Sequence, residues 1–197
     1  MNLNGGGLLP VSVDPTGCIK FLFGLERDYW IDSVKGYSDF GGACQNKENR
    51  FQTACREAEE EMVGFLGTLE ELKKNATDKL IISLKSPKYD SFLYYTPFDE
   101  KMPSYFNKNF ACVEKHKPEI FEKDGIYEKR QIEWFSFDEL ILRKEEFRKF
   151  YADEFIPQIL EKKTSIEKKV NYLNTFTINS GLKATSSLLN IKLLQNY

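Results

Sequence analysis

Between Gly42 and Gly64 the chain reads GACQNKENRFQTACREAEEEMVG, which sets Glu48 after the first glycine, then the pair Arg56-Glu57, then Glu60 and Glu61. A helix from about Arg50 to Val63 would sort this run onto two faces, because side chains three and four apart lie over one another. Phe51, Ala54, Cys55, Ala58 and Met62 then form an apolar stripe, and Glu57, Glu60 and Glu61 gather on another face. Like charges about 4 Å apart cost on the order of 4 kcal/mol per pair in a partly screened setting, so the cluster calls for open water or a cation. Hard cations such as Mg²⁺ take carboxylate and carbonyl oxygens and keep positions for water and phosphate. Arg56 has two carboxylates within reach, Glu60 one turn on and Glu48 folded back from the preceding loop, and its forked donor can hold such partners rigidly. A solvated acidic helix face is the alternative reading of a glutamate-rich run.

The spacing resembles the Nudix box, G-x5-E-x7-R-E-U-x-E-E-x-G-U, with Gly42, Glu48, Arg56, Glu57, Ala58, Glu60 and Glu61 all in place. One position departs. Val63 stands where the family has glycine and Gly64 follows one residue late, which is expected to shift the helix exit, where a left-handed residue is wanted, without disturbing the acids. The lead-in Tyr-Ser-Asp-Phe-Gly-Gly and the Lys-, Asn- and Phe-rich composition more weakly resemble Nudix proteins of large DNA viruses. The resemblance implies an α/β fold, the Nudix fold, with a mixed β-sheet sandwiched between helices as α/β/α. Residues 1–163 are then the hydrolase domain, and 164–197 an extra C-terminal helical extension packed on it.

The elements around the box follow from local pattern. Residues 1–7 read as a short, mobile Gly-rich leader. Residues 8–13 and 19–25 are apolar runs parted by the turn Asp14-Pro15-Thr16-Gly17 and read as strands. A brief strand over 37–40 delivers the chain to Gly41-Gly42, where close backbone approach would let the Gly42 carbonyl face a metal. Asn49 is a good N-cap with Gln52 in the capping-box position. Residues 80–84 and 91–96 read as further strands, and 99–125, with Pro103, Pro118 and Asp124-Gly125, as an irregular segment suited to substrate choice. Residues 131–135 form a strand running into a second capping box, Ser136 with Glu139, stapled by Phe135 and Leu140. This junction extends the resemblance over roughly residues 8–160. Residues 142–163 have helical spacing broken near Pro157, and 164–197 read as a short helix followed by a polar tail.

Composition bounds the rest. With 197 residues, 41% hydrophobic and 14% aromatic, one good core is expected. The formal net charge of -2 argues against a generally basic nucleic-acid surface. No signal-peptide pattern and no bilayer-length apolar run are present, so a soluble, cytoplasmic protein (in the host cytoplasm if viral) without a membrane partner is expected. Cys18, Cys44, Cys55 and Cys112 lack metal-ligand spacing and are read as reduced thiols. The single histidine, His116, argues against mechanisms built on several histidines and is read as a surface loop residue.

The resemblance implies hydrolysis of a phosphoric anhydride with Mg²⁺ or Mn²⁺ as cofactor. Metal ligands would be Gly42, Glu57, Glu60 and Glu61, joined by a further glutamate upstream of the late strand. Glu128 is the candidate, ahead of Glu114, Glu119 and Glu122, and its alternative is a solvent-facing partner of Lys129 or Arg130. Glu57 or Glu128 would act as general base, while Arg56 and Glu48 orient the site. The substrate would be a nucleoside diphosphate linked to another group, possible examples being the capped 5′ end of mRNA, diphosphoinositol polyphosphates, dinucleoside polyphosphates and nucleotide sugars. Tyr29, Trp30 and Tyr37, with Tyr105 and Phe106, are candidates for stacking on a base. Two lysine groups, Lys101, Lys108, Lys115 and Lys117, and Lys162, Lys163, Lys168 and Lys169, are candidate RNA tracks or ordinary surface. An inactive Nudix-fold binding module, and a docking role for residues 164–197, are the readings of another class; oligomeric state is left open.

Overall fold

The computed structural model describes residues 4–27, 35–45, 47–122 and 126–177. Seven strands make one mixed sheet: β1 (Gly5–Val13), β2 (Ile19–Glu26), β3 (Tyr37–Ser38), β4 (Phe40–Ala43), β5 (Leu80–Lys85), β6 (Tyr89–Tyr95) and β7 (Lys129–Phe135). The order is β3-β2-β1-β6-β5, with β4 also on β1 and β7 also on β2. Among the described strands, β1 and β6 alone pair in parallel. Successive strand residues point to opposite faces, and the core divides accordingly. Leu8, Leu22, Ile132 and Trp134 face one layer, made by α1 (Arg50–Met62), α2 (Leu69–Asp78) and α3 (Met102–His116). Leu9, Val11, Phe21, Phe23 and Phe135 face the other, made by α4 (Phe137–Leu142), α5 (Lys149–Glu154), α6 (Ile156–Glu161) and a last helix, α7, over 163–177. Both sheet faces are thus buried, which is why these strands read as continuous apolar runs.

One irregularity of this sheet builds the site. β1 and β2 pair only from Val11 to Val13 against Ile19 to Phe21 and then part. The segment from Tyr37 to Ala43 fills the gap: Tyr37 and Ser38 pair with β2, and Phe40 to Ala43 pair with β1. Asp39 lies at the change of partner, buried, accepting hydrogen bonds from Tyr89 (2.9 Å) and Ser91 (2.6 Å). Burial pushes its pKa up to about 6 against the pull of those two hydroxyls.

Three expectations are corrected. Gly5 to Gly7 are not a mobile leader but buried residues of β1. A Cβ on Gly6 would lie 2.1 Å from the carbonyl oxygen of Arg50, so bare backbone is what lets α1 start against the strand. The segment 99–125 is helical over Met102–His116, with a 3-10 turn over Pro118–Glu122, while its Asp124-Gly125 lies outside the described residues; Pro103 sits in the first turn of α3, where its missing N–H costs nothing. Phe106 and Phe110, one turn apart, supply the buried face. His116 is therefore an exposed residue of the last helical turn, not of a loop. Residues 69–78, to which no element was assigned, form α2 behind a capping box of Thr68 and Glu71. The expected boxes at Asn49/Gln52 and Ser136/Glu139 are both formed, and the late helical stretch breaks at Phe155, with Pro157 in the first turn of α6. Among the described residues no helix is long and apolar enough to cross a membrane.

Candidate active site

Helix α1 carries Arg56 into the centre of the box acids. Its guanidinium reaches Glu48 through Nε (2.9 Å) and Nη2 (3.2 Å), Glu60 through Nη1 (2.9 Å), and Glu57 through Nη2 (2.8 Å). The Ala43 carbonyl accepts a further bond at 3.3 Å. Glu48 also accepts from the Gln45 backbone (3.1 Å) and the Thr53 hydroxyl (3.0 Å). Arg56 thereby ties the loop after β4 to the helix, and holds Glu57 and Glu60 at fixed positions along one helix edge.

Glu57 and Glu61 lie further in, under β4. A Cβ on Gly42 would stand 2.5 Å from Glu57 Oε1, so only glycine leaves the carboxylate in place. Burial pushes the pKa of Glu57 up, Arg56 pulling it back and Glu60 and Glu128 pushing it further. Glu61 is buried almost completely; one oxygen accepts the Gly41 backbone N–H (3.0 Å), and the other lies 3.4 Å from Lys129 Nζ. Its pKa is raised by burial first, against the pull of Lys129, with Glu26, Glu128 and Glu57 adding to the rise.

The ladder between β1 and β4 corrects the expectation for the Gly42 carbonyl. The Cys44 N–H bonds to the Asn4 carbonyl, and Gly42 pairs with Gly6 two positions along, so Gly42 directs its own N–H and C=O toward β1. Gly41 directs both away from β1, and its N–H meets Glu61. The Gly42 carbonyl, expected as a metal ligand, is thus turned to β1, while Gly41 presents its backbone to Glu61. The Gly-Gly pair was the legible signal, but choosing between the two needed the register.

Glu128 immediately precedes β7, and its carbonyl accepts the Arg27 N–H (2.8 Å) at the end of β2. Its charge acts on both Glu57 and Glu61. The sheet thus brings Glu128 to the box acids; Glu114 and Glu119 stand exposed on α3 and the following turn, and the side chain of Glu122 lies outside the described residues. The candidate donor set suits a hard divalent cation: its atoms are all oxygen, the glycine backbone adds no side chain over Glu57, and the buried Glu57 and Glu61 carry raised pKa values that a cation would relieve. Among the described residues the acids do not form a ready three-ligand cluster; Arg56 and Lys129 hold them.

Among the described residues the stacking candidates are not brought together. Tyr37 is buried at 4% exposure, its hydroxyl on Glu133 (2.8 Å) and its ring against Phe135 and Phe147, so it is core and not a platform for a base. Phe106 is core as well, and Tyr105 is exposed on α3. Tyr29 and Trp30 lie outside the described residues. The two lysine groups sit on α3 and on α6–α7, in opposite layers of the sandwich, so they do not make one track. Beside Gly41 and Gly42 lies a cavity of about 280 Å³ lined also by Lys88, Tyr89, Arg148 and Phe150.

Among solved structures the chain is similar to the bifunctional NMN adenylyltransferase/ADP-ribose pyrophosphatase of Francisella tularensis, complexed with AMP and a manganese ion. Identity is 14%, over 82% of this chain and 42% of that one, with a TM-score of 0.51. It is also similar to a Nudix hydrolase from M. smegmatis, RenU (13%, over 83% and 87%, TM-score 0.46), and to a C. elegans Ap4A hydrolase (14%, over 88% and 98%, TM-score 0.43). No family model matches the chain, and no curated protein matches it by sequence. At these identities the likeness is one of fold: the chain has the Nudix fold, a mixed sheet between two helical layers.

Proposed function

We propose that this chain is a metal-dependent Nudix hydrolase that cleaves a phosphoanhydride bond in a nucleoside diphosphate linked to another group. The observation that carries the reading is the Arg56 hub, which holds Glu57 and Glu60 of α1 and Glu48 of the loop before it, while β4 sets the Gly41 N–H on Glu61 of the same helix and the start of β7 brings Glu128 to these acids. Glu57, Glu60, Glu61 and Glu128 would hold Mg²⁺ or Mn²⁺. When bound, such an ion supplies charge neutralisation at phosphate and acidity to water. Glu57 or Glu128 takes the proton of the attacking water. Arg56 and Glu48 orient these carboxylates, and in-line displacement at phosphorus needs little beyond such positioning and charge.

Capped RNA is the specific candidate favoured by Lys101, Lys108 and Lys115, which recur at heptad spacing along the exposed face of α3. The test is Mg²⁺-dependent product release from capped RNA, dinucleoside polyphosphates, nucleotide sugars and inositol pyrophosphates. Glu61→Gln, which removes an anionic oxygen at nearly constant size, is expected to abolish turnover while circular dichroism stays unchanged; turnover at the wild-type rate would sink the site assignment. Methylated guanosine diphosphate released from capped RNA supports the decapping candidate. Cleavage of small substrates alone removes it, and silence across the panel with Mn²⁺ still bound favours the inactive binding module.

A further inference from the structure

Lys129 is an unusual residue to find in the interior: fully buried, with an ammonium surrounded by acceptors. Its Nζ donates to Glu26 Oε1 (2.5 Å) and to Ser38 Oγ (3.0 Å), and pairs with Glu61 Oε1 at 3.4 Å. Glu26 is itself held by Ser38 Oγ (3.1 Å) and Arg148 Nη1 (2.9 Å). Room for the lysine stem comes from Gly24 on β2, where a Cβ would lie 2.7 Å from Lys129 Cγ. The arrangement joins three strands, β2, β3 and β7, to one carboxylate of α1.

A buried lysine beside acids that suit a divalent cation has a definite physical consequence. We propose that Lys129 is a positioning residue that serves as the resident counter-ion of the acidic cluster, clamping Glu61 between its ammonium and the Gly41 N–H. This rests on the metal-site reading above. The ammonium neutralises one charge of the cluster permanently, so the site holds its divalent ion less tightly than the carboxylates alone would, and holds Glu61 in a single orientation. Removing it trades geometry for negative charge: the ion binds more strongly and catalysis suffers.

The experiment compares Lys129→Met with the paired variant Glu26→Gln/Lys129→Met, which removes one charge of each sign and so keeps the buried charge balanced. Mn²⁺ binding to the metal-free full chain is followed by electron paramagnetic resonance of the free ion, without substrate, and kcat and KM are measured separately. In Lys129→Met the Mn²⁺ Kd is expected to fall at least threefold, and in the charge-balanced paired variant to return to within twofold of the wild type; in both, kcat is expected to fall at least tenfold with KM within twofold. An unchanged or weaker Mn²⁺ affinity in folded Lys129→Met overturns the proposal, as does a paired variant that binds Mn²⁺ as tightly as Lys129→Met, or an unchanged kcat in either variant. A chain that hydrolyses nothing refutes the hydrolase reading, and the Mn²⁺ titration still decides the role of Lys129.

Discussion

Arg56 is the side chain on which the box geometry depends, and Glu48 is the partner whose contribution can be measured apart from the proposed metal ligands. The hydrogen bond from Arg56 holds the Glu48 carboxyl at about 2, below its ordinary 4.5, with the Gln45 N–H and Thr53 hydroxyl pulling the same way. A folded-state pKa below the unfolded one gives stability that is present above the unfolded value and lost as pH falls through the folded value. Urea unfolding of the wild type and Glu48→Gln is therefore expected to show a constant gap above about pH 5 that closes as the pH approaches about 2. A gap that ignores pH would mean that Arg56 does not act through the charge of Glu48. Glu61→Gln belongs to the same scale, since it changes one buried oxygen and leaves its surroundings otherwise in place.

At the scale of the element, α1 shows how a departure from a family pattern is absorbed. Gly64 does not move the helix stop as its spacing suggested. The helix ends at Met62, and Val63 itself adopts the left-handed conformation, with φ 50° and ψ 40°, its N–H reaching the Glu59 and Glu60 carbonyls. A β-branched residue is strained there, whereas glycine is not. Val63 is 38% exposed, so little burial is lost by truncating it. Val63→Gly is expected to raise the unfolding free energy by about 1 kcal/mol, the net of relieved strain over the added freedom of the unfolded chain. A lower urea midpoint would show that Val63 is not strained. The helix keeps its length either way, which is why the acids remain in register despite the displaced glycine.

At the scale of the molecule, α7 is part of the core. Ile166, Val170 and Leu173 are buried in the same cluster as Phe135, Phe155 and Ile159, and Tyr95 donates to Asn174 at 2.8 Å. Deleting residues 164–197 would uncover one face of the sandwich, so it would not isolate a docking role from catalysis as the sequence suggested. Ile166→Ala, at a fully buried position, is expected to cost about 2–5 kcal/mol. Thermal and urea denaturation should show the whole domain losing stability in one transition, whereas a local loss confined to α7 would mark it as an appendage.

The site was legible in the sequence as far as its interactions are local. Arg56 to Glu60 is one helical turn, Glu48 precedes the helix by a short loop, and both capping boxes close over three residues, so spacing alone determined them. Tertiary structure decided what depends on register between distant strands. Lys129 meets Glu26 across 103 positions and Tyr37 meets Glu133 across 96. Strand pairing also set the N–H of Gly41, and not that of Gly42, on Glu61, and placed Tyr37 in the core. The physical reason is the period of the strand: a shift of one residue exchanges its faces, and only the assembled sheet determines which face each residue takes.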